Sequence, residues 1–321
     1  MKPVICNYYL TYRCNARCGF CNIWKDENVP ASRESPVDVV CRNLADARSL
    51  GVKIVDFTGG EPLLYESIRD VLSYAKKIGL RTTLTTNGIV YPDRAKEIAG
   101  CIDILQFSLD GADRDMHDSV KGVPSFDRVI ESIHKARALG ERPTCIHTVT
   151  DENIAYVSDV IKFAEKMNVL LFLNPCFSYF GNTGLSRENT ILLDGIAYGK
   201  GVTIDRGYIR FVIDGGNRRD NPRCLAVTST IVISPDDKLI LPCFHARTRT
   251  IAIEGQLQAL RNAPSVEFEK HIEGRHPFCE GCTVYCYMRA SLYRRFDRYL
   301  LPSFMSAAKY LFEFYRSPQK K

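Results

Sequence analysis

Cys14-Asn15-Ala16-Arg17-Cys18-Gly19-Phe20-Cys21, directly after the apolar run Val4-Ile5-Cys6-Asn7-Tyr8-Tyr9-Leu10, is the stretch whose reading decides the fold. Three thiolates spaced by three residues and then by two, on a loop too short for a core of its own, suit three corners of an iron-sulfur cube. One iron of such a cube keeps an open position and is free to chelate a substrate. Gly19 lets the backbone come close to the cluster and Phe20 shields it from water. Taken alone, the same spacing also suits a zinc loop.

Working outward, the text alternates short apolar strands with helical stretches. Ser35-Pro36 reads as an N-cap followed by proline at the first helical position, with Val39, Val40, Leu44 and Leu50 continuing the helix. Strands are expected at 53–57, 80–85, 102–111, 144–149 and 169–173, with helices at about 65–78, 93–99, 125–139 and 154–167. Six strands so spaced make βαβ units with a parallel sheet and right-handed crossovers. The fold class is therefore α/β, a partial (β/α)6 TIM-type barrel open on one side. Chemistry in such barrels sits at the C-terminal ends of the strands. Cys14 to Cys21, Gly59 to Pro62, Asn87, Ser108 with Asp110, and Asn174 with Cys176 all fall there.

The chain has 321 residues, 45% hydrophobic and 25% charged, as for an ordinary globular protein. No apolar run reaches the ~18 residues of a spanning helix, and no signal peptide is evident, so a cytoplasmic location is expected. Eight of the 13 cysteines cluster at spacings suited to metal rather than to disulfides. The net charge of +6 resides wholly in residues 289–321, which hold eight Lys or Arg against Asp297 and Glu313.

Cys14, Cys18 and Cys21, with Phe20 before the last, resemble the C-x3-C-x-aromatic-C hallmark of radical S-adenosylmethionine (radical SAM) enzymes. Gly59-Gly60-Glu61-Pro62 closely resembles that family's GGEP motif, which implies a grip on the amino group of the cofactor's methionine end; a plain strand-to-helix turn is the alternative. Phe107-Ser108-Leu109-Asp110-Gly111 is similar to the fourth-strand segment that contacts the ribose or carboxylate. Ser108 and Asp110 would face one side of a strand and bind a sugar, or else cap the turn. Asn87 in Thr-Asn-Gly is a further candidate. The family's fifth-strand adenine motif is not evident, which leaves Thr148, Asn153 and Leu173 as adenine-side candidates. The resemblance implies S-adenosyl-L-methionine, an open-site 4Fe-4S cluster and a flavodoxin- or ferredoxin-type electron donor. The cluster's electron would cleave the sulfonium, and the resulting 5′-deoxyadenosyl radical would take hydrogen from an unactivated carbon.

Past the barrel, 195–216 is glycine-rich and reads as a linker or short strands around Val202 to Ile213. Cys224 and Cys243 flank a hairpin, 229–233 and 239–243, that brings two thiolates together. Cys279-Glu280-Gly281-Cys282-Thr283-Val284-Tyr285-Cys286 follows, with Gly281 for a tight turn. The set is similar to twitch and SPASM auxiliary-cluster modules, nearer the shorter twitch form, with Lys238 where those usually place glycine. It implies a second 4Fe-4S cluster on four of the five, Cys282 or Cys286 being spare; structural zinc is the alternative. Domains are expected at 1–205 (core), 206–288 (auxiliary module) and 289–321 (basic helical tail). Cys6, Cys41, Cys101 and Cys145 read as packing, Cys176 as packing or a candidate hydrogen donor at the barrel mouth, and His245 as an exposed loop histidine or a border of the auxiliary site.

In the tail, Leu292, Phe296 and Tyr299, then Phe304, Ala308, Leu311 and Tyr315, recur at helical spacing among arginines. Two basic amphipathic helices would pack on the barrel or touch a membrane surface peripherally. The reading is a radical SAM oxidoreductase acting on a small molecule, a hydrophobic pigment, lipid or sugar precursor, with the auxiliary cluster accepting an electron. A peptide-modifying maturase is less expected, because the first strand begins at about residue 4 with no leader-binding domain ahead of it. A non-catalytic electron carrier or zinc scaffold is the rival of another class. No nucleic acid is expected.

Overall fold

The computed structural model describes residues 1–25, 33–178, 184–196 and 199–316. In chain order, β1 (Ile5–Thr11) precedes α1 (Val37–Leu50), β2 (Ile54–Gly59) precedes α2 (Ile68–Lys77), and β3 (Arg81–Thr86) precedes α3 (Tyr91–Ile98). After β4 (Ile104–Ser108) come α4 (Arg114–Lys121) and α5 (Phe126–Ala138), then β5 (Thr144–Val149), α6 (Val157–Lys166), β6 (Leu170–Pro175) and α7 (Arg187–Gly195). The remainder holds β7 (Val202–Thr203), α8 (Arg206–Ile213), α9 (Ala226–Ser229), β8 (Thr230–Ile233), β9 (Lys238–Leu241) and β10 (Arg249–Ala252). Helices α10 (Leu257–Arg261), α11 (Pro264–Ile272), α12 (Tyr285–Leu292) and α13 (Leu300–Arg316) close the chain.

The strands form a single sheet in the order β10-β9-β8-β1-β2-β3-β4-β5-β6-β7. From β8 through β7 every neighbour is parallel, while β8, β9 and β10 pair antiparallel. This is the partial TIM-type barrel, and it explains itself through alternation. Val55, Phe57, Leu84, Leu105, Phe107, Cys145, Leu171 and Leu173 turn outward into the core under the helices, all 2% exposed or less. Their neighbours Asp56, Thr83, Gln106 and Ser108 are half-buried and line the hollow side, which is therefore polar.

Four local expectations change. Ser35 is not the cap of α1: Pro36 takes that place, and Ser35 hydrogen-bonds the Pro235 carbonyl through its hydroxyl (2.6 Å) and its amide (2.7 Å). The glycine-rich stretch expected as linker or strand holds α8, started by Asp205, whose carboxylate accepts from the Tyr208 amide (3.0 Å); residues 197–198 lie outside the described residues. The hairpin β8–β9 is present, but β8 extends the barrel's own sheet beside β1, so no sheet boundary falls near residue 205. In the tail, α12 ends at Leu292, and 293–299 is not a helix. There the Asp297 carboxylate accepts from the Tyr299 amide (2.9 Å), a local bond that competes with helix formation. Leu292 and Tyr299 are buried, whereas Phe296 is fully exposed. Lys320 and Lys321 lie outside the described residues.

Helix α13 crosses the N-terminal end of the barrel. It meets α8 at Gly207, where a Cβ would stand 2.2 Å from Ser303 Oγ and 2.3 Å from the Tyr299 carbonyl. Overpacking of this kind costs roughly 1–3 kcal/mol. Gly207→Ala is expected to lower the unfolding free energy by that amount, read as a lower denaturant midpoint with an unchanged slope; an unaltered midpoint would mean that the two helices do not touch here.

Candidate active site and second thiol site

Two glycines aim the cysteine loop. A Cβ on Gly59 would stand 2.1 Å from the Thr11 carbonyl oxygen, and one on Gly60 would stand 2.2 Å from that of Arg13. Only glycine lets the exits of β1 and β2 approach so closely. The backbone then pairs: Gly60 N–H donates to Thr11 O (2.9 Å) and Glu61 N–H to Arg13 O (2.8 Å). Glu61 itself is 1% exposed. Its carboxylate accepts from Thr86 Oγ1 (2.8 Å), the Asn87 amide (2.8 Å) and the Leu63 amide (3.0 Å), locking the β2 exit to the β3 exit. Burial pushes its pKa up, although these three donors oppose the shift. Pro62, also buried, opens the short turn that follows. Asn87 reaches the loop, donating to Asn15 Oδ1 (2.7 Å) and lying 3.9 Å from Cys14 Sγ.

The far side of the loop rests on α4, which the sequence reading did not include. Arg17 N–H donates to Lys121 O (2.8 Å) and Gly19 N–H to Val120 O (3.1 Å). Beneath them Lys121 and Asp110 form an ion pair of 2.7 Å, with side chains 3% and 1% exposed. Asp110 also accepts from the Thr148 amide (2.9 Å). Lys121 and His147 hold the Asp110 pKa well below the usual carboxylate range despite burial, and Asp110 in turn raises that of Lys121 against its own desolvation. His117 packs beside the pair, its pKa lowered to about 4 by burial and by the Lys121 charge. The Lys121 charge also reaches Cys18 and Cys14. Asp110 thus braces the loop from inside, while Ser108 stands half-buried on the hollow side, so the two do not present together.

A cavity of about 700 Å³ opens against the loop. Gly19 and Phe20 line one side, and Asn153 and Cys176 line the others. A Cβ on Gly19 would meet no protein atom within 4 Å. Asn153 is held by its own turn, accepting from the Thr150 amide and donating to the Thr148 carbonyl (2.8 Å each). Leu173 is a correction: the register of β6 turns it into the core under the helices at 0% exposure, and the next residue, Asn174, takes the hollow side. The Asn174 Oδ1 is buried and has no partner among the described residues, as an acceptor awaiting a ligand donor would be. Burial pushes the thiol of Cys176 up to about 11. Three thiols on one braced loop, an orphaned acceptor and an adjoining cavity fit a three-cysteine cluster with a ligand beside it.

The second site gathers Cys224, Cys243, Cys279 and Cys282 around a cavity of about 260 Å³, with His245 and Tyr287 in its wall. Cys286, on α12, is exposed and does not line that cavity. Burial raises the other four thiols, Cys243 to about 12 and Cys279 to about 11. Among the described residues no three His, Cys, Asp or Glu close on a single metal ion. The turn at Lys238 needs no glycine, because Asp237 takes the left-handed conformation (φ 58°), with its carboxylate bonded by Asn43 Nδ2 (2.7 Å).

Asn217, fully buried, organises this site and escaped the sequence reading. Its Nδ2 donates to the carbonyls of Gly274 (2.8 Å) and Cys279 (3.0 Å), and its Oδ1 accepts from the amides of Arg223 (2.9 Å) and Cys224 (3.2 Å). Its own backbone bonds Gly281 and Cys282. Asn217→Ala leaves these buried groups unpaired, at roughly 2–4 kcal/mol. The expected result is loss of about half the bound iron in reconstituted protein while the first site still loads. Asp110→Asn strands the Lys121 charge and should cost roughly 3–5 kcal/mol near neutrality. A carboxylate whose folded pKa is depressed loses its contribution as pH falls. The gap to wild type in a denaturant titration should therefore narrow below the ordinary carboxylate range, and a gap constant with pH would speak against the ion pair.

Residues 8–164 match the radical SAM superfamily. A probable GTP 3′,8-cyclase of Sulfurisphaera tokodaii is 31% identical over 175 residues, 52% of this chain and 55% of that protein. The AdoMet-dependent heme synthase of Methanosarcina barkeri is 28% identical over 174 residues, 53% of this chain and 49% of that protein. The chain thus spans about half the length of the curated relatives it matches. Among solved structures, Streptococcus suis SuiB bound to its precursor peptide SuiA superposes with a TM-score of 0.67 at 17% identity, over 94% of this chain and 74% of that one. The structure of anSMEcpe with bound AdoMet superposes with a TM-score of 0.61 at 16% identity, over 97% and 93%. The cysteine loop, the glycine-fastened strand exits and the parallel barrel lead to the same place as the family match: residues 8–164 form a radical SAM domain.

Proposed function

We propose that the chain is an oxidoreductase that takes hydrogen from a polar small molecule held in the barrel and passes the substrate's remaining electron to a second cluster. The observation that carries this reading is the separation of two thiol sites: three cysteines on the braced loop, and four more around a cavity of their own. A carrier or a zinc scaffold needs no cavity beside a three-cysteine loop. Bound together, a reduced 4Fe-4S cluster and S-adenosylmethionine supply a 5′-deoxyadenosyl radical.

The chain's own residues position and shield. Cys14, Cys18 and Cys21 would hold the first cluster, and Cys224, Cys243, Cys279 and Cys282 the second, with Cys286 spare. Gly59 and Gly60 present backbone, and Ser108, Asn87, Thr148 and the free acceptor of Asn174 offer hydrogen bonds to the cofactor. Phe20 covers the loop from water. The hollow side offers Asp56, Thr83 and Gln106 to a substrate. Thr83 Oγ1 donates to Asp56 (2.5 Å), whose pKa burial raises to about 6. Such walls suit a hydroxyl- or amide-bearing substrate better than a pigment or a lipid chain. Two relatives named for GTP cyclisation and haem synthesis support a small molecule over a peptide. The electron would come from a flavodoxin- or ferredoxin-type donor.

Reduced, reconstituted protein incubated with S-adenosylmethionine is expected to form 5′-deoxyadenosine, and Cys18→Ala to form none. Product from the variant at the wild-type rate would end the proposal. Iron near eight per chain, about four per cluster, is expected; a value near four with full 5′-deoxyadenosine formation would remove the second cluster and with it the oxidative half.

A further inference from the structure

Helix α13 is apolar on two faces. One is turned inward: Ser303, Tyr310 and Phe314 are 8% exposed or less against the barrel end and α8. The other carries Leu301 (65% exposed), Phe304 (60%), Met305 (63%), Leu311 (40%), Phe312 (57%) and Tyr315 (52%). These positions, with Ala308, recur at three- and four-residue steps and make one stripe along 17 residues, about 25 Å of helix. A helix that is apolar all round is ordinarily covered on every side. A contiguous outward stripe of this size marks a surface that something else covers.

Charge identifies the occupant. Glu313, the one carboxylate of α13, is turned to the protein and accepts from the Gly201 amide (3.0 Å), so the stripe carries no negative group. At its C-terminal end three guanidiniums gather. Arg81 donates to the Tyr315 hydroxyl (2.6 Å), Arg142 lies 5.7 Å from the Tyr315 ring centroid, and Arg316 lies 4.3 Å from that of Phe312. Among the described residues none of the three meets a carboxylate. A second copy of this face would bring three more arginines and no acid. An apolar stripe ended by cations matches a bilayer of anionic lipid, whose acyl boundary takes the aromatic and aliphatic side chains and whose headgroups take the arginines.

We propose that the outward face of α13 docks the protein onto anionic membrane surfaces, with Phe304, Met305, Leu311 and Phe312 entering the headgroup boundary. The contacts of α13 place this face at the starts of β3 and β7, the N-terminal end of the barrel. The cysteine loop follows the C-terminal end of β1, so a docked molecule keeps its mouth toward the water. That suits the polar hollow and concentrates the enzyme at a lipid surface without blocking the site.

The test is sedimentation of full-length reconstituted protein with vesicles of phosphatidylcholine, alone or mixed in equal parts with phosphatidylglycerol. Binding is expected on the mixed vesicles, weakening with salt, and to be about 100-fold weaker on phosphatidylcholine alone. Phe304→Glu with Phe312→Glu alters two exposed side chains; it should keep the far-ultraviolet spectrum and wild-type 5′-deoxyadenosine formation while lowering mixed-vesicle affinity more than about 10-fold. Absence of wild-type binding to mixed vesicles overturns the inference, as does equal binding by the variant. A lipid-free dimer that the variant dissolves, with no vesicle binding, assigns the face to a second copy instead. Vesicle binding is read without turnover, so a protein that binds lipid yet forms no 5′-deoxyadenosine fails the proposed reaction and not this inference.

Discussion

The approach of two strand exits, β1 and β2, to within the space of a missing Cβ is the constraint on which the rest is built. At Gly59 and Gly60 any side chain would strike the carbonyls of Thr11 and Arg13. The resulting hydrogen bonds fix the direction in which the chain leaves β1, and hence where Cys14 begins. Glu61 then ties the same point to β3, and Asn87 carries the tie back to the loop. From below, the Asp110–Lys121 pair and the end of α4 hold Arg17 and Gly19. The loop has no core of its own, so its three thiols are placed by neighbours on three different strand exits.

The second site is organised differently. There a single side chain, Asn217, uses donors and acceptors alike to draw two distant cysteine segments together. An aromatic seam joins the two sites: Tyr9 of β1 stacks on Phe244 with ring centroids 3.9 Å apart, and the Phe244 amide donates to the Tyr287 hydroxyl (2.9 Å). Phe244 follows Cys243 directly. Packing of this density leaves little freedom between the strand that launches the first loop and the wall of the second cavity.

Most of the barrel was legible because alternation and helical spacing are local properties. β1 through β6 lie where apolar runs end in turn residues, and the cysteine and GGEP signals fall at the exits of β1 and β2. What escaped depends on partners far away in the chain. Gly207 reads as loop until Ser303 is seen against it, so the stretch around α8 reads as a linker or short strands, of which only β7 is a strand. Asp110 reads as a sugar ligand or a turn cap, and its ion pair with Lys121 is visible only in the fold. Asn217 carries no motif at all, since its role exists only when four chain segments meet. In the tail the spacing of Leu292, Phe296 and Tyr299 is helical, yet Asp297 caps its own turn and breaks the period. Leu173 was misassigned by a single residue of register, which in a strand reverses the face. Asp113 as an N-cap and Lys121-Gly122, a basic residue and a left-handed glycine, were the available hints for the start and end of α4.

The pairing of β8 with β1 bears on how separable the cysteine-rich half is. Ile5 through Tyr8 hydrogen-bond β2 on one edge and β8 on the other, so the strand that launches the first cysteine loop is central only because a later segment covers it. A chain stopped before that segment would leave β1 with a bare row of amides and carbonyls, the kind of edge that recruits a stranger's strand. In this respect the later segment covers an edge that the earlier half would otherwise leave open to aggregation.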